Sequence, residues 1–112
     1  MIKQGHLFSE NHPDLYKKWV VGSFVQDSDF HSDGFEFKFQ SDKKGMCRPP
    51  KDVIDPNTTT LAILIDGHLR MNFGERDTFL CERGDYIWWY PDVPHLFEFI
   101  EDSLVITLRW KR

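Results

Sequence analysis

The sequence lacks several features that mark particular protein classes. No apolar run approaches the roughly 18 residues needed to cross a membrane. The first residues, Met1 to His6, contain no apolar stretch of the signal-peptide kind. The formal net charge is −4, so the chain has no excess of basic residues of the kind that nucleic acid requires. These absences predict a cytoplasmic protein that binds neither membrane nor nucleic acid.

Cysteine is scarce as well. Cys47 and Cys81 stand far apart, and no C-x-x-C pair is present. Two isolated thiols in a reducing compartment are most often structural residues. They therefore predict two structural thiols, with a redox pair as the alternative.

The chain has enough apolar residues to form a core, since hydrophobic residues make up 40% of the 112 residues and aromatic residues 15%. This length suits one domain with one core. We expect a single domain over residues 1–112, with residues 1–18 as an N-terminal arm and residues 19–112 as a β-barrel.

The β pattern begins at Trp19. Turn residues separate segments rich in β-branched and aromatic residues, whereas the stretch from Lys43 to Asn57 contains several breakers and is predicted to be irregular. Asp66-Gly67 predicts a two-residue hairpin turn. The predicted strands are 19–24, 35–39, 58–65, 69–73, 78–81, 86–90, 95–100 and 104–110. Eight short strands without alternating helices favour a sandwich or barrel.

One strand has a strict alternation. Phe35, Phe37 and Phe39 occupy one face, and Glu36 and Lys38 occupy the other. The pattern predicts a strand with one aromatic and one charged face.

The stretch from about Thr58 to Leu108 resembles the cupins, a family of small jelly rolls. The second motif of that family has a Gly, usually followed by Asp, and a His eleven residues after the Gly. Gly84-Asp85 and His95 have this spacing, and Val93-Pro94-His95 resembles the end of the motif. Thr60 to Gly67 resembles the strand and turn that close the first motif. The resemblance implies an all-β, double-stranded β-helix of the cupin type with an N-terminal arm.

The chain departs from the metal-binding members of that family. Their first motif supplies an H-x-H pair and a Glu, and the motif-two His is the fourth ligand. No His lies between His31 and His68, and Thr60 holds the Glu position. Three of four ligands are therefore missing, so no cofactor is expected. A divalent transition metal held by His95 and by loop acids, with Asp55 or Cys47 reaching the site from the irregular segment, is the alternative.

His95 has two interpretations. It is either a packed imidazole bonded to a carbonyl or hydroxyl, or a hydrogen-bond donor or general base beside a ligand. The resemblance points Trp89 inward beside it. Arg48 and, as a second candidate, Arg109 are cations that can clamp a carboxylate. The predicted ligand pocket comprises His95, Thr60, Trp89, Phe97, Phe99, Leu64 and Arg48.

The strand from Tyr86 to Tyr90 has a second aromatic face. Tyr86, Trp88 and Tyr90 lie opposite Ile87 and Trp89 by alternation. An exposed aromatic patch suggests a subunit interface, and hence a homodimer, whereas packing against the N-terminal arm is the alternative.

Three functions stay open from the sequence. The first is metal-free binding of a small molecule, anionic or sugar-like, in the barrel. The second is a cupin enzyme of the isomerase or dioxygenase type that uses His95, with or without a metal. The third is a dimeric interaction protein whose barrel is closed to ligands.

Overall fold

Two antiparallel β-sheets make up the computed structural model, which describes residues 2, 4–7, 19–25, 28–48, 57–90 and 93–111. One sheet has the strand order β1-β2-β9-β4-β7 and the other the order β3-β8-β5-β6. No helix within these ranges is long and apolar enough to cross a membrane. The nine strands found in them are β1 (Trp19–Val21), β2 (Phe35–Asp42), β3 (Cys47–Arg48), β4 (Thr58–Asp66), β5 (Leu69–Asn72), β6 (Asp77–Leu80), β7 (Tyr86–Trp89), β8 (Leu96–Phe99) and β9 (Ser103–Lys111).

Each of the eight segments predicted from sequence contains a strand, with boundaries shifted by up to three residues. The ninth strand, β3, lies in the stretch predicted to be irregular. Cys47 pairs with Glu98 and Arg48 with Phe97, so β3 exists because β8 supplies its partners. The predicted N-terminal arm, residues 1–18, falls mostly outside the described residues.

The predicted hairpin at Asp66-Gly67 is wrong. The strand before it, β4, pairs with β7 and β9, whereas the strand after it, β5, pairs with β6 and β8. The turn is therefore a corner that carries the chain from one sheet to the other. Gly67 has a φ of 109°, a conformation that glycine adopts without strain. Ser103 holds the corner, since its Oγ accepts a hydrogen bond from the His68 N–H at 3.1 Å.

A true hairpin follows at β5–β6. Asn72 pairs with Asp77, and the Phe73 N–H donates to the Arg76 carbonyl at 2.8 Å. The Asn72 side chain closes the turn, because it accepts from the Gly74 N–H at 3.0 Å and donates to Asp77 Oδ1 at 2.7 Å.

The turn between β6 and β7 is built on Asp85. Its Oδ2 accepts hydrogen bonds from the N–H groups of Cys81 and Glu82, both at 2.9 Å. These two donors hold the pKa of the Asp85 carboxyl below its ordinary value of 3.8. The charged form is thus favoured in the folded state.

A lowered folded-state pKa stabilises the protein above the unfolded pKa, and this contribution disappears as pH falls through the folded pKa. We therefore expect Asp85→Asn to lower the urea midpoint at pH 7, and the difference from the wild type to shrink below about pH 3.8. Glu75→Gln in the exposed β5–β6 turn is the control for the loss of one negative charge. A difference that stays constant from pH 7 to pH 3 would contradict this role.

The apolar core lies between the sheets. Its members come from both sheets, and the partly buried Phe73, Ile87 and Phe97 pack against it. The buried set comprises Ala62, Leu64, Leu69, Met71, Leu80, Trp89, Phe99 and Val105. We call the side of each sheet that faces this core its inner face.

The Phe face of β2 is not the inner one. Lys38 and Gln40 are 8% and 2% exposed, and Gln40 pairs with the core residue Val105. Phe35 on the opposite face is 40% exposed. The same alternation continues on β9, β4 and β7, and it defines what we call the outer face: Phe35, Phe37, Phe39, Thr59, Leu61, Ile63, Tyr86, Trp88, Ile106, Leu108 and Trp110.

Candidate functional site: the polar end of the sandwich

The space between the sheets changes from apolar to polar along the strands. Leu64 and Ala62 on β4 are fully buried, and the next inner residue, Thr60, is 5% exposed. On β9, Val105 is likewise followed by Thr107, which is 6% exposed, and then by Arg109. On β4 and on the second half of β9 the inner face therefore changes from apolar to polar, whereas β2 and the start of β9 also carry the buried polar residues Gln40, Asp42 and Ser103 at the opposite end.

Register pairing places inner side chains from four strands in one row. Neighbouring strands lie about 4.8 Å apart, so the row spans about 14 Å. Its members, in order across the sheet, are Trp89, Thr60, Arg109 and Glu36. The adjacent row contains Thr107 paired with Lys38.

His95 stands at the Trp89 end of this row, among three aromatic rings. Its ring centroid lies 4.8 Å from Trp89, 5.6 Å from Phe97 and 5.9 Å from Phe73. His95 Nδ1 is 3.2 Å from the carbonyl oxygen of Val93. Because a carbonyl only accepts, Nδ1 carries the proton in that hydrogen bond, and Nε2 is the basic nitrogen of the neutral ring.

Two predicted pocket residues lie deeper. Phe99 is 1% exposed and stacks on Phe97 at 6.2 Å with an interplanar angle of 7°, and Leu64 is fully buried. Both belong to the core cluster, beneath the polar end. Arg48 pairs with Phe97 across β3 and β8, and its side chain lies outside the described part of the structure.

The far end of the row is charged. Arg109 Nη1 lies 3.3 Å from Glu36 Oε2, and the guanidinium stands 4.5 Å from the Trp19 ring centroid. Lys38 Nζ lies 5.5 Å from the same ring. Trp19 thus holds two cations at the inner face through cation–π contacts. Deeper along β2, the buried Gln40 donates a hydrogen bond to Asp42.

Sequence reasoning missed Lys38, Gln40 and Thr107 as interior residues, and treated Arg109 only as a second candidate. The alternation on β2 was the available signal, but it does not say which face is the inner one. The structure resolves this through β9, whose buried Val105 and Thr107 are the neighbours of Gln40 and Lys38.

The described residues around His95 do not fit a metal centre. Its described ring neighbours, Trp89, Phe97 and Phe73, offer no oxygen or sulfur ligand. Thr60 holds the position of the family's acid, and Cys47 is exposed on β3. Within the described ranges, no group of three or more His, Cys, Asp or Glu side chains is placed to hold a metal ion. Asp55, in the irregular segment, falls outside those ranges.

Comparison with known proteins identifies the fold through structure alone. At the level of sequence, no known protein family and no curated protein matches the chain. A cupin superfamily protein from Desulfitobacterium hafniense is similar over 72% of this chain and 71% of that one, with 14% identity and a TM-score of 0.64. KdgF from a Halomonas species is similar over 73% and 74%, with 19% identity and a TM-score of 0.63.

A third solved structure agrees. An RmlC-like cupin from Desulfovibrio desulfuricans matches 70% of this chain and 74% of its own, with 18% identity and a TM-score of 0.58. These likenesses confirm what the spacing of Gly84, Asp85 and His95 predicts. The chain has the cupin fold, an all-β jelly roll of two antiparallel sheets.

Proposed function

We propose that this protein binds a small polar molecule between its sheets, at the end that holds His95, Thr60 and Arg109. The observation that carries the proposal is the change of the inner face from apolar to polar along β4 and β9.

Several polar side chains are buried at this end of the sandwich. Moving a hydroxyl or amide out of water costs about 1–3 kcal/mol unless it gains a hydrogen bond, and an ammonium costs more. Thr60, Thr107 and Lys38 are all less than 10% exposed, so hydrogen bonds that they make to a bound ligand would be shielded from water. A ligand with hydroxyl and carboxylate groups offers these side chains hydrogen bonds while it is bound.

The side chains along the row from Trp89 to Arg109 suggest the class of ligand. Trp89 and Phe97, with ring centroids 6.2 Å apart, form an aromatic wall at one end. The Arg109 guanidinium at the other end suits a carboxylate, which it binds through paired hydrogen bonds. Apolar walls with few polar groups are typical of small-molecule sites. We infer a sugar-like or otherwise hydroxylated molecule with one anionic group.

Thermal unfolding with a panel of sugar acids, neutral sugars and short dicarboxylates tests the proposal. At a probe concentration ten times Kd, binding stabilises the fold by about 1.4 kcal/mol, which raises Tm by about 5 °C for a domain of this size. We expect an acidic probe to produce this shift, and Arg109→Gln to weaken its affinity about tenfold or more, since a hydrogen bond to a charged group contributes about 1.5–3 kcal/mol.

The matched control is Arg70→Gln. Both arginine side chains are 28% exposed and ion-paired, but Arg70 pairs with Asp77 and Glu98 on the outer side of the other sheet. The probe's affinity should therefore be unchanged in Arg70→Gln. Equal losses in the two variants, or a Tm shift that survives Arg109→Gln intact, would contradict binding at the polar end.

A further inference from the structure

Two side chains hold the guanidinium of Arg109 at the charged end of the row. Its Nη1 donates to Glu36 Oε2 at 3.3 Å, and the guanidinium stands 4.5 Å from the ring centroid of Trp19. Trp19 is itself 8% exposed and packs edge-on against Phe24, with ring centroids 5.7 Å apart. The guanidinium is therefore oriented before a ligand binds, which lowers the entropic cost of binding.

Glu36 engages only part of the hydrogen-bonding capacity of Arg109. The hydrogen bond between the two side chains uses Nη1. An arginine has five N–H donors, and Nε with Nη2 forms a separate edge that can bind a carboxylate through two parallel hydrogen bonds. We place the anionic group of the ligand at this second edge.

Glu36 also puts a negative charge beside that position. Register pairing sets Glu36 and Arg109 on the neighbouring strands β2 and β9, and each side chain is 28% exposed. Partial burial weakens the screening by water and salt, so the carboxylate repels a second anion bound to the same guanidinium. This repulsion costs a doubly charged anion about twice as much as a singly charged one.

We propose that Glu36 is a specificity-determining residue, which makes the polar end prefer a ligand with a carboxylate over the corresponding ligand with a phosphate. A carboxylate carries one negative charge, whereas a phosphate ester carries about 1.5 to 2 at neutral pH. Proteins discriminate between ligands in part by placing a like charge against the unwanted one. The inference rests on the proposed binding at the polar end, and it narrows the ligand to acidic sugars and similar hydroxy acids.

Lys38 supplies a second cation at this end, with Nζ 5.5 Å from the Trp19 ring centroid. A lysine and an arginine close together are suited to phosphate, which both residue types bind. Glu36 opposes these two cations, since it lies on the same face of β2, two residues from Lys38, and is ion-paired with Arg109. Removing the charge of Glu36 should therefore shift the preference of the site toward phosphate.

Isothermal titration with glucuronate and glucose 6-phosphate tests the proposal, because the two probes share a pyranose ring and differ in the anionic group at one carbon. We expect the wild type to bind glucuronate more tightly. Glu36→Gln keeps the size of the side chain and an oxygen that accepts from Arg109, but it removes the charge. The affinity for glucose 6-phosphate should then rise at least about tenfold more than the affinity for glucuronate.

Glu98→Gln is the matched control. Glu98 is also ion-paired with an arginine, Arg70, at 3.4 Å, but on the outer side of the four-stranded sheet. Its loss should leave the ratio of the two affinities unchanged, and circular dichroism should show the same β spectrum for all variants. A purely structural role of Glu36 would instead change the affinities for both probes by the same factor.

The outcomes separate this inference from the proposed function. Equal changes for both probes in Glu36→Gln, or a wild type without a preference for glucuronate, would overturn the charge selection and leave binding at the polar end intact. If the wild type and Glu36→Gln both bind neither probe, both proposals are wrong.

Discussion

Replacing Phe99 with alanine is expected to lower the free energy of unfolding by about 3–5 kcal/mol, the usual cost of truncating a buried aromatic residue. The side chain is 1% exposed, pairs with Leu69 across β5 and β8, and stacks on Phe97. Removing it leaves a cavity between the sheets, whose well-packed surroundings relax only in part. Urea unfolding with an unchanged m-value would measure the loss.

Phe79→Ala is the control, since the same truncation at a 49% exposed position should cost less than about 1 kcal/mol. If the two variants were equally stable, Phe99 would not be a core residue. Phe99 also has a backbone role that the substitution leaves in place, because its N–H donates to the Met46 carbonyl at 2.9 Å and its carbonyl accepts from the Gly45 N–H at 2.8 Å. The predicted loss therefore reports on the side chain alone.

The position of Phe99 shows which features of the candidate site can be predicted from the sequence and which cannot. A resemblance in spacing placed Trp89, His95, Phe97 and Thr60 near one another, and their registers and ring contacts bring them together. The same reasoning gave Phe99 and Leu64 pocket roles, which stay predictions while both lie in the apolar core. Strand alternation assigns a residue to a face, but not to a depth along the sandwich.

The strand β2 shows a second limit. Its alternation predicts a strand correctly, because a period of two is a local property of the chain. Which face turns inward depends on pairing with distant parts of the chain. Phe39 on β2, for example, pairs with Ile106 on β9, which lies more than 50 residues later in the sequence. The aromatic face became the outer one, and Lys38 and Gln40 became interior residues.

The turns at Gly84-Asp85 and at Asp66-Gly67 likewise differ in whether local or distant residues determine their structure. The Gly84-Asp85 turn is a local structure, because Asp85 bonds to backbone donors only three and four residues away. The corner at Gly67 looked like a hairpin because the same two residue types serve both turns. The pairing of the flanking strands distinguishes a corner from a hairpin. Here β4 pairs with β9 and β5 pairs with β8, so β4 and β5 do not pair with each other.

Gly67→Ala is accordingly expected to destabilise the fold by about 2–5 kcal/mol, from two separate causes. A φ of 109° strains any residue with a Cβ, at about 1–2 kcal/mol. The added methyl group would also lie too close to the turn before β9, at 2.6 Å from both the Asp102 carbonyl oxygen and the Ser103 Cα. Such overpacking costs about 1–3 kcal/mol. Urea unfolding of the variant measures the sum.

Gly84→Ala separates the two causes. Gly84 has a φ of 93°, but nothing lies within 4 Å of its added Cβ, so only the conformational strain of about 1–2 kcal/mol should appear. The excess in Gly67→Ala then measures the close approach of the corner to Ser103. Adding Ser103→Ala to the Gly67→Ala chain should recover at most part of the loss, because it removes Ser103 Oγ, the nearest atom to the added Cβ, whereas the Asp102 carbonyl oxygen and the Ser103 Cα remain. Equal costs at Gly67 and Gly84 would instead mean that the corner yields to a methyl group, and that Gly67 is required for its backbone conformation alone.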